Sequence, residues 1–338
     1  MSRGTAAGLA RGAAFAAIGI AFPFVVHAAW IVNIGVLTLM YAALATAWNL
    51  FSGYTGYISL GQVAFFGLGA YTLAVAFEHF GIGSGYNPFW ALPLVGAGVA
   101  FASLPVAWIA LRTRHMTFAI VTLTLLFVVQ QLAFNLHSVT HGSSGLMLPT
   151  PTTFGIDTYD RPFYLAMLGL VLLGLGLCWL VLRSKLGLML LAIREDEEKA
   201  RGLGIRVTTA KLIAWWLSVA ITAMVGGVWA YYLTFIYPES SVDPLVMIGA
   251  VLMTFLGGRG TLWGPTIGAL VLVPAQQYTL TRLGASEWYL VAYAAVFVVV
   301  LLLLPRGIVP SLRDLVVRLR ERRRTRRGPV IRREAAAR

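Results

Sequence analysis

Ten segments of the sequence are apolar over most of the length needed for a helix to cross a lipid bilayer, which is about 20 residues. They lie at residues 13–30, 31–50, 62–77, 89–111, 116–136, 163–182, 212–235, 244–256, 262–280 and 288–304. Two of them are short and the first two are hardly separated, so the sequence is also compatible with any number of spans from eight to eleven. Because the chain is 59% hydrophobic and 12% charged, a water-soluble fold could not bury its apolar surface. The sequence predicts an all-α integral membrane protein of about ten transmembrane helices.

The positions of the basic residues predict which side of the membrane each loop lies on. With the N-terminus in the cytoplasm, ten spans place every lysine and arginine on the cytoplasmic side except Arg161 and Arg282, as the positive-inside rule requires. An odd number of spans would put the basic loop at 183–211 and the basic C-terminal segment on opposite sides of the membrane. We therefore expect both termini to be cytoplasmic.

The same charges divide the chain into two parts. Residues 1–305 form the predicted transmembrane domain, in which the loop at 183–211 is the one cytoplasmic segment of substance. Residues 306–338 form a tail with twelve arginines, predicted to be amphipathic at first and disordered beyond. In a membrane protein such a tail is typical of topology and contact with anionic lipid, so the net charge of +13 does not indicate nucleic acid binding.

Two glycine-rich segments interrupt the apolar pattern. Residues 49–71 contain five glycines and no charged residue, and a second cluster runs from 255 to 270. Glycine at this density favours broken helices and close backbone approach, and irregular backbone inside a membrane must be covered by protein or line a cavity. Paired interrupted segments can mark the substrate site of a transporter. The two clusters do not, however, fall at matching positions of two five-span halves. The first cluster is predicted to form part of a pathway or a binding site.

Several chemistries are not supported by any motif. All thirteen acidic residues lie in loops, at span ends or in the tail, whereas ion-coupled pumps usually carry carboxylates inside their spans. No lysine follows a glycine, so the sequence has no P-loop for nucleotide, and it has no G-x-S-x-G elbow. His137 and His141 stand alone in an outer loop, without the further ligands of a metal site. We expect neither a catalytic centre nor a bound metal or cofactor.

The loop around residue 195 carries four consecutive acidic residues followed by basic ones, an order that suits the dipole of a short helix. Gly202 or Gly204 could end this helix, and Thr208 or Thr209 could cap the next. One interpretation is a solvated connector. The other is a docking helix for a cytoplasmic ATPase, because residues 198–204 fit the E-x-A-x-x-x-G core of the coupling motif of ABC-importer permeases. The predicted coupling residues are Glu195, Asp196, Glu197, Glu198, Lys199, Ala200 and Gly204.

Three segments together resemble signatures of the bacterial branched-chain amino-acid ABC-transporter permeases, and most closely the M-type subunit of the high-affinity leucine/isoleucine/valine system. They are NLFSGYTGYISLGQVAFFGLGAYTLA from residue 49, AIREDEEKARGLGI from residue 192 with KL at 211–212, and GGRGTLWGPTIGA from residue 257. The resemblance covers about residues 48–305. Lys199, in place of the motif's usual alanine, and Arg259 depart from the family pattern.

The resemblance implies a multi-pass subunit of the bacterial inner membrane that imports a small polar solute. Its implied partners are a second, related permease, two cytoplasmic ATPase subunits that hydrolyse ATP, and a periplasmic substrate-binding protein. It also implies that residues 194–206 sit in a groove of the ATPase and that Asn49 to Gln62 lie near the translocation path. The predicted path residues are Asn49, Gly53, Gly56, Ser59, Gly61 and Gln62, together with Gly257 and Gly258 of the second glycine cluster. The alternative is a self-sufficient passive channel or secondary carrier, since broken glycine-rich helices also serve channels.

Overall fold

The structure, a computed structural model, describes residues 3–26, 28–151, 153–155, 158–283, 295, 298, 307–312 and 314, with only the backbone for 3–11, 282 and 283. The predicted tenth span at 288–304 and the basic tail therefore lie outside the described residues, apart from the few positions just named. The remaining predicted spans can be compared with the structure.

Most of the described residues are helical, which confirms the all-α prediction. The α-helices are α1 Arg3–Val25, α2 Ala29–Trp48, α3 Gln62–Phe80, α4 Asn87–Ala110, α5 His115–Asn135, α6 His137–Thr140, α7 Asp160–Arg183, α8 Lys185–Glu195, α9 Glu197–Gly202, α10 Val207–Leu233, α11 Pro238–Ser241, α12 Pro244–Gly257 and α13 Gly264–Leu283. A π-helix spans Asn49–Gly53 and a 3-10 helix spans Gly142–Ser144. Strands β1 (Leu146–Met147) and β2 (Phe235–Ile236) pair antiparallel, with Leu146 opposite Ile236.

Seven segments within the described residues are long and apolar enough to cross a membrane, which confirms a multi-pass membrane protein. They are Ala29–Gly53, Gln62–Phe80, Asn87–Ala110, His115–Asn135, Asp160–Arg183, Val207–Leu233 and Pro238–Gly257. Helices α1 and α13 stand where the first and ninth spans were expected. The total of about ten spans and the cytoplasmic position of both termini stay predictions.

Helix α10 lies at the centre of the packing. It makes its most extensive contacts with α3 and α4 and also packs against α2 and α7. Glycines bring α3 and α10 together: a Cβ atom on Gly69 would collide with the carbonyl oxygen of Ala223, and one on Gly226 with that of Phe66. Close approach through small residues is a main source of helix association in membranes.

Helix α2 is the second centre, and it positions the irregular backbone. It packs against α7, α10, α12 and α13 and continues directly into the π-helix. The chain is then irregular from residue 56 to 61 before α3 begins. The turn between α12 and α13, at residues 258–263, lies beside the π-helix, so the fold brings the two glycine-rich segments together.

Candidate functional site

The two glycine-rich segments meet at the side chain of Asn49, which is fully buried. Its Nδ2 donates to the carbonyl oxygen of Thr261 at 3.0 Å, and its Oδ1 accepts from the backbone N–H of Gly260 at 2.7 Å. A Cβ atom on Gly53 would collide with the Asn49 amide and come within 3.2 Å of the Gly260 nitrogen. We call the contact between residues 49–61 and 257–264 the glycine junction.

The backbone is broken at the predicted place. The π-helix Asn49–Gly53 ends α2, and Gly56 has a φ of 83°, a left-handed conformation that costs other residues about 1–2 kcal/mol. Side chains stabilise the loop that follows. Trp48 Nε1 donates to the carbonyl oxygen of Ser59 at 2.7 Å, and the Ser59 N–H donates to Ser52 Oγ at 3.2 Å.

Two arginines from other parts of the chain bind the end of the broken helix. Arg259 Nη2 donates to the carbonyl oxygen of Ser52 at 3.1 Å, and Arg194 Nη1 donates to that of Gly53 at 3.0 Å. Cationic side chains commonly satisfy the last carbonyls of a helix. Burial first, and then the nearby charge of Arg194, lower the pKa of the Arg259 guanidinium, which nevertheless keeps its proton.

The short helix predicted around residue 195 is present, and residues 194–206 are called the coupling segment after the role predicted for them. Helix α8 ends at Glu195, and Asp196 caps α9 by accepting from the N–H groups of Glu198 and Lys199, both at 3.0 Å. Hydrogen bonds from the Lys199 backbone and then from its side chain lower the pKa of Asp196. Gly204, with a φ of 82°, lies in the turn after α9, as expected of a helix end.

The prediction that Thr208 or Thr209 caps the helix after α9 was wrong. Helix α10 begins at Val207, with Arg206 in the capping position and no side-chain cap. Thr208 and Thr209 lie inside its first turn. The backbone bond from the Val207 N–H to the Ile205 carbonyl oxygen, at 2.9 Å, shows that the turn leads straight into the helix.

One face of α9 is bound to the membrane domain through Glu197. Its side chain is 12% exposed, and its Oε2 accepts from Lys211 Nζ at 2.7 Å and from the Tyr57 hydroxyl. The Lys211 side chain is 1% exposed, and its Nζ lies 3.8 Å from the centre of the Tyr57 ring. Burial by itself would raise the pKa of Glu197, but the hydrogen bonds from Lys211 and Tyr57 and the charge of Lys211 lower it overall. The carboxylate is therefore ionised and paired at neutral pH.

The opposite face of α9 is largely exposed, although Glu198 Oε1 accepts from Arg114 Nη1 at 2.8 Å. The side chains of Glu198 and Lys199 are 73% and 84% exposed, and Glu195 is exposed as well. Ala200 is buried under the helix. The predicted coupling residues thus divide into an inner set, Glu197 and Ala200, and an outer set, Glu195, Glu198 and Lys199.

Sequence reasoning missed four participants: Tyr57, Arg194, Lys211 and Arg259. The sequence marked Lys211 as part of a family signature and Arg259 as a departure from the family pattern, but no pattern gave any of the four a hydrogen-bond partner. A usable signal was the absence of any charge in residues 49–71, because the last carbonyls of a helix broken there need donors from elsewhere in the chain.

The predicted path residues are all buried except Gly56, which is partly exposed. Gln62 joins α3 to α10, since its Nε2 donates to Ser218 Oγ and, at 2.9 Å, to Thr222 Oγ1. The Ser218 hydroxyl donates in turn to the carbonyl oxygen of Ala47 in α2 at 2.6 Å. A chain of polar side chains therefore links α2, α3 and α10 inside the apolar core.

Comparison with known proteins identifies the family. Residues 30–302 match the model of a family described as branched-chain amino acid transport system / permease component. The chain belongs to this family. The resemblance inferred from the three sequence signatures is confirmed, and the protein is a permease component of the multi-pass inner-membrane type.

Curated relatives agree with the assignment. The permease is 31% identical over 323 residues to the high-affinity branched-chain amino acid transport system permease protein LivM of Salmonella typhimurium (strain LT2), covering 88% of this chain and 73% of the relative. LivM of Escherichia coli (strain K12) is 30% identical with the same coverage. The autoinducer 2 import system permease protein LsrC of Yersinia pseudotuberculosis is 30% identical over 147 residues, or 42% of this chain and 39% of the relative. No solved structure matches the chain significantly.

Proposed function

We propose that this permease is the membrane subunit of an ATP-driven importer that moves branched-chain amino acids, or a related small polar solute, into the cytoplasm by alternating access. The coupling segment is the observation that carries the proposal. It presents a short, capped helix whose outer face is charged and exposed, while its inner face is bonded to Tyr57 and Lys211. Such a helix is suited to receive a movement on one side and pass it on at the other.

The proposed partners supply ATP hydrolysis, the second half of the path and delivery of the solute. Two cytoplasmic ATPase subunits bind and hydrolyse ATP and hold the outer face of the coupling segment. A second, related permease completes the path, and a periplasmic binding protein delivers the solute. Membrane lipid surrounds the helices and contacts the basic tail. The chain itself is not proposed to bind a cofactor.

The proposed path runs along the glycine junction and the start of α3, through the eight residues from Asn49 to Gly258 predicted above. We infer that the hydrogen bonds from Gln62 to α10 hold the path closed. When ATP binding closes the ATPase pair, the coupling segment moves and the glycine junction rearranges. Separation of α3 from α10 would then free the polar groups of Gln62, Ser218 and Thr222 to line the path.

Reconstitution into vesicles tests the proposal. The complete set of subunits is expected to accumulate leucine in an ATP-dependent manner, and the isolated permease is expected to hydrolyse no ATP and to pass no solute. Robust ATP hydrolysis by the isolated chain, or solute flux through it without nucleotide, would contradict the proposal and favour a self-sufficient channel or carrier.

The substrate class has a separate test, because the binding protein sets much of the specificity in such systems. The names of the LivM relatives favour branched-chain amino acids. Affinities of the cognate periplasmic protein for leucine, isoleucine, valine, urea, short amides and aromatic acids should be ranked by calorimetry. Tight binding confined to urea or an amide would leave the proposal of an importer intact and would change only its proposed substrate.

A further inference from the structure

The structure assigns to Arg194 a role as the positioning residue through which the coupling segment moves the glycine junction. This inference rests on the proposed function, because it concerns how movement of a docked ATPase reaches the membrane domain. Arg194 lies in the last turn of α8, three positions before α9 begins at Glu197. Its side chain nevertheless ends at the broken helix, far away in the sequence.

Arg194 contacts both glycine-rich segments. Its Nη1 donates to the carbonyl oxygen of Gly53 at 3.0 Å. A Cβ atom on Gly56 would lie 3.1 Å from Arg194 Cγ, and one on Gly260 would collide with Nη1. The missing side chains at these two glycines therefore create the space that the arginine side chain occupies. Within the described part of the chain, neither Glu197 nor Lys211, which form the buried ion pair, makes a hydrogen bond to residues 257–264.

The connection between Arg194 and α9 is short and well supported. Asp196 is the single residue between α8 and α9, and its N–H donates to the carbonyl oxygen of Ala192 at 3.1 Å while its side chain caps α9. The preceding Ile193 is buried, with 2% exposure. A displacement of α9 therefore carries the end of α8 with it, and Arg194 passes that displacement to Gly53.

Arginine suits this role for chemical reasons. Its guanidinium is always charged and offers several donors in a fixed plane, so it holds a carbonyl oxygen in a defined direction. Arg259 provides a matched comparison, since it makes the equivalent bond to the neighbouring Ser52 carbonyl oxygen. Arg259, however, belongs to the second glycine segment itself and is not attached to the coupling segment.

The test compares the Arg194→Met and Arg259→Met variants in the complete transporter. Methionine keeps much of the apolar stem and removes the donors. Three quantities are measured for each variant: ATPase subunits retained on purification, ATP hydrolysed, and solute taken up. Loss of a charge-assisted hydrogen bond from the transmitting residue is expected to lower the solute-to-ATP ratio of R194M at least about tenfold, with ATPase retention unchanged. R259M is expected to lower uptake and hydrolysis together, so its ratio stays that of the wild type.

The outcomes separate a transmitting role from a structural one. A normal ratio in R194M, an equal fall in R259M, or a fall in R194M explained by lost ATPase subunits would each overturn the assignment. Should R194M not accumulate in the membrane, R194K is measured in the same way and is expected to lower the ratio about threefold, since lysine lacks the planar set of donors. If wild-type vesicles show no ATP-dependent uptake, the proposed function fails first. If they do, a normal ratio in the variants refutes only the role of Arg194.

Discussion

The two faces of α9 differ in burial although their residues lie next to one another in the sequence. The inner face buries Glu197 against Lys211 and Tyr57 in a compact pair. The outer face leaves Glu198 and Lys199 largely exposed. A desolvated ion pair is strongly destabilised when one partner is removed, whereas exposed pairs contribute little. The comparison teaches that a buried ion pair fixes the inner face to the membrane domain, whereas the outer face is exposed to solvent. Its one link to the membrane domain among the described ion pairs is the exposed pair of Glu198 with Arg114, at 2.8 Å, which contributes little.

The largest effect on uptake is expected from a substitution at Gly56, in the broken helix beside Arg194. Gly56→Val puts a β-branched side chain at a φ of 83° and against Arg194. Because a branched residue is a clear outlier in this conformation, the glycine junction cannot keep its shape. We expect uptake to be abolished while the protein still inserts into the membrane, as measured by solute uptake in cells and by the amount of protein in membrane fractions.

Gly176→Val is the matched control for this variant. Gly176 lies in α7, and a Cβ atom there meets no other atom within 4 Å. Its uptake is expected to equal that of the wild type. Normal uptake in Gly56→Val would mean that this stretch only packs helices together.

The next largest effect, on stability, is expected from breaking the ion pair between Glu197 and Lys211, which holds α9 against the membrane domain. Lys211→Met leaves the Glu197 carboxylate buried without its counter-charge, which is expected to cost about 3 kcal/mol of stability. The double variant with Glu197→Gln should recover most of this loss, since no unpaired charge remains. Thermal unfolding in lipid nanodiscs provides the measurement.

Lys199→Met makes the same substitution on the outer face and should leave the unfolding temperature almost unchanged, because the Lys199 side chain is 84% exposed. Equal destabilisation by Lys211→Met and Lys199→Met would remove the distinction between the two faces.

A smaller effect is expected at Asn49, which joins the two glycine-rich segments. Asn49→Ala leaves the Gly260 N–H and the Thr261 carbonyl without their partner, at a cost of about 2 kcal/mol. Asn135→Ala is the control, because Asn135 is exposed and bonds only to Gln131 of its own helix; a change within about 0.5 kcal/mol is expected there. Equal unfolding temperatures for the two variants would show that the Asn49 bonds do not stabilise the junction.

Much of the fold could be predicted because hydropathy fixes the membrane spans. The span predicted at 116–136 corresponds to α5 at His115–Asn135, and the one at 89–111 to α4 at Asn87–Ala110. The helix break was also predictable, since glycines without charge recur at 53, 56 and 61. The predicted short helix near residue 195 is present, with Gly204 in the turn that follows it. The charge order and the glycines predicted this helix, whereas its cap, Asp196, was seen only in the structure.

Side-chain direction could not be predicted in the same way. Four acidic residues in succession look equivalent in the sequence, and only Glu197 turns inward. It does so because Tyr57, 140 positions away, and Lys211 approach that side of α9 in three dimensions. The π-helix at 49–53 and the arginines that bind its end likewise depend on tertiary contacts, which neither periodicity nor composition contains.

Site-specific crosslinking most directly tests the claim that α9 faces two ways. Lys199→Cys and Glu197→Cys are introduced one at a time into the permease, co-expressed with its ATPase, and treated with a short thiol-to-amine crosslinker in membranes. The account predicts that the outer position, Lys199, captures the ATPase with high yield and that the buried position, Glu197, captures little. Capture from Glu197 but not from Lys199, or from neither position in a transporter that takes up solute, would contradict it.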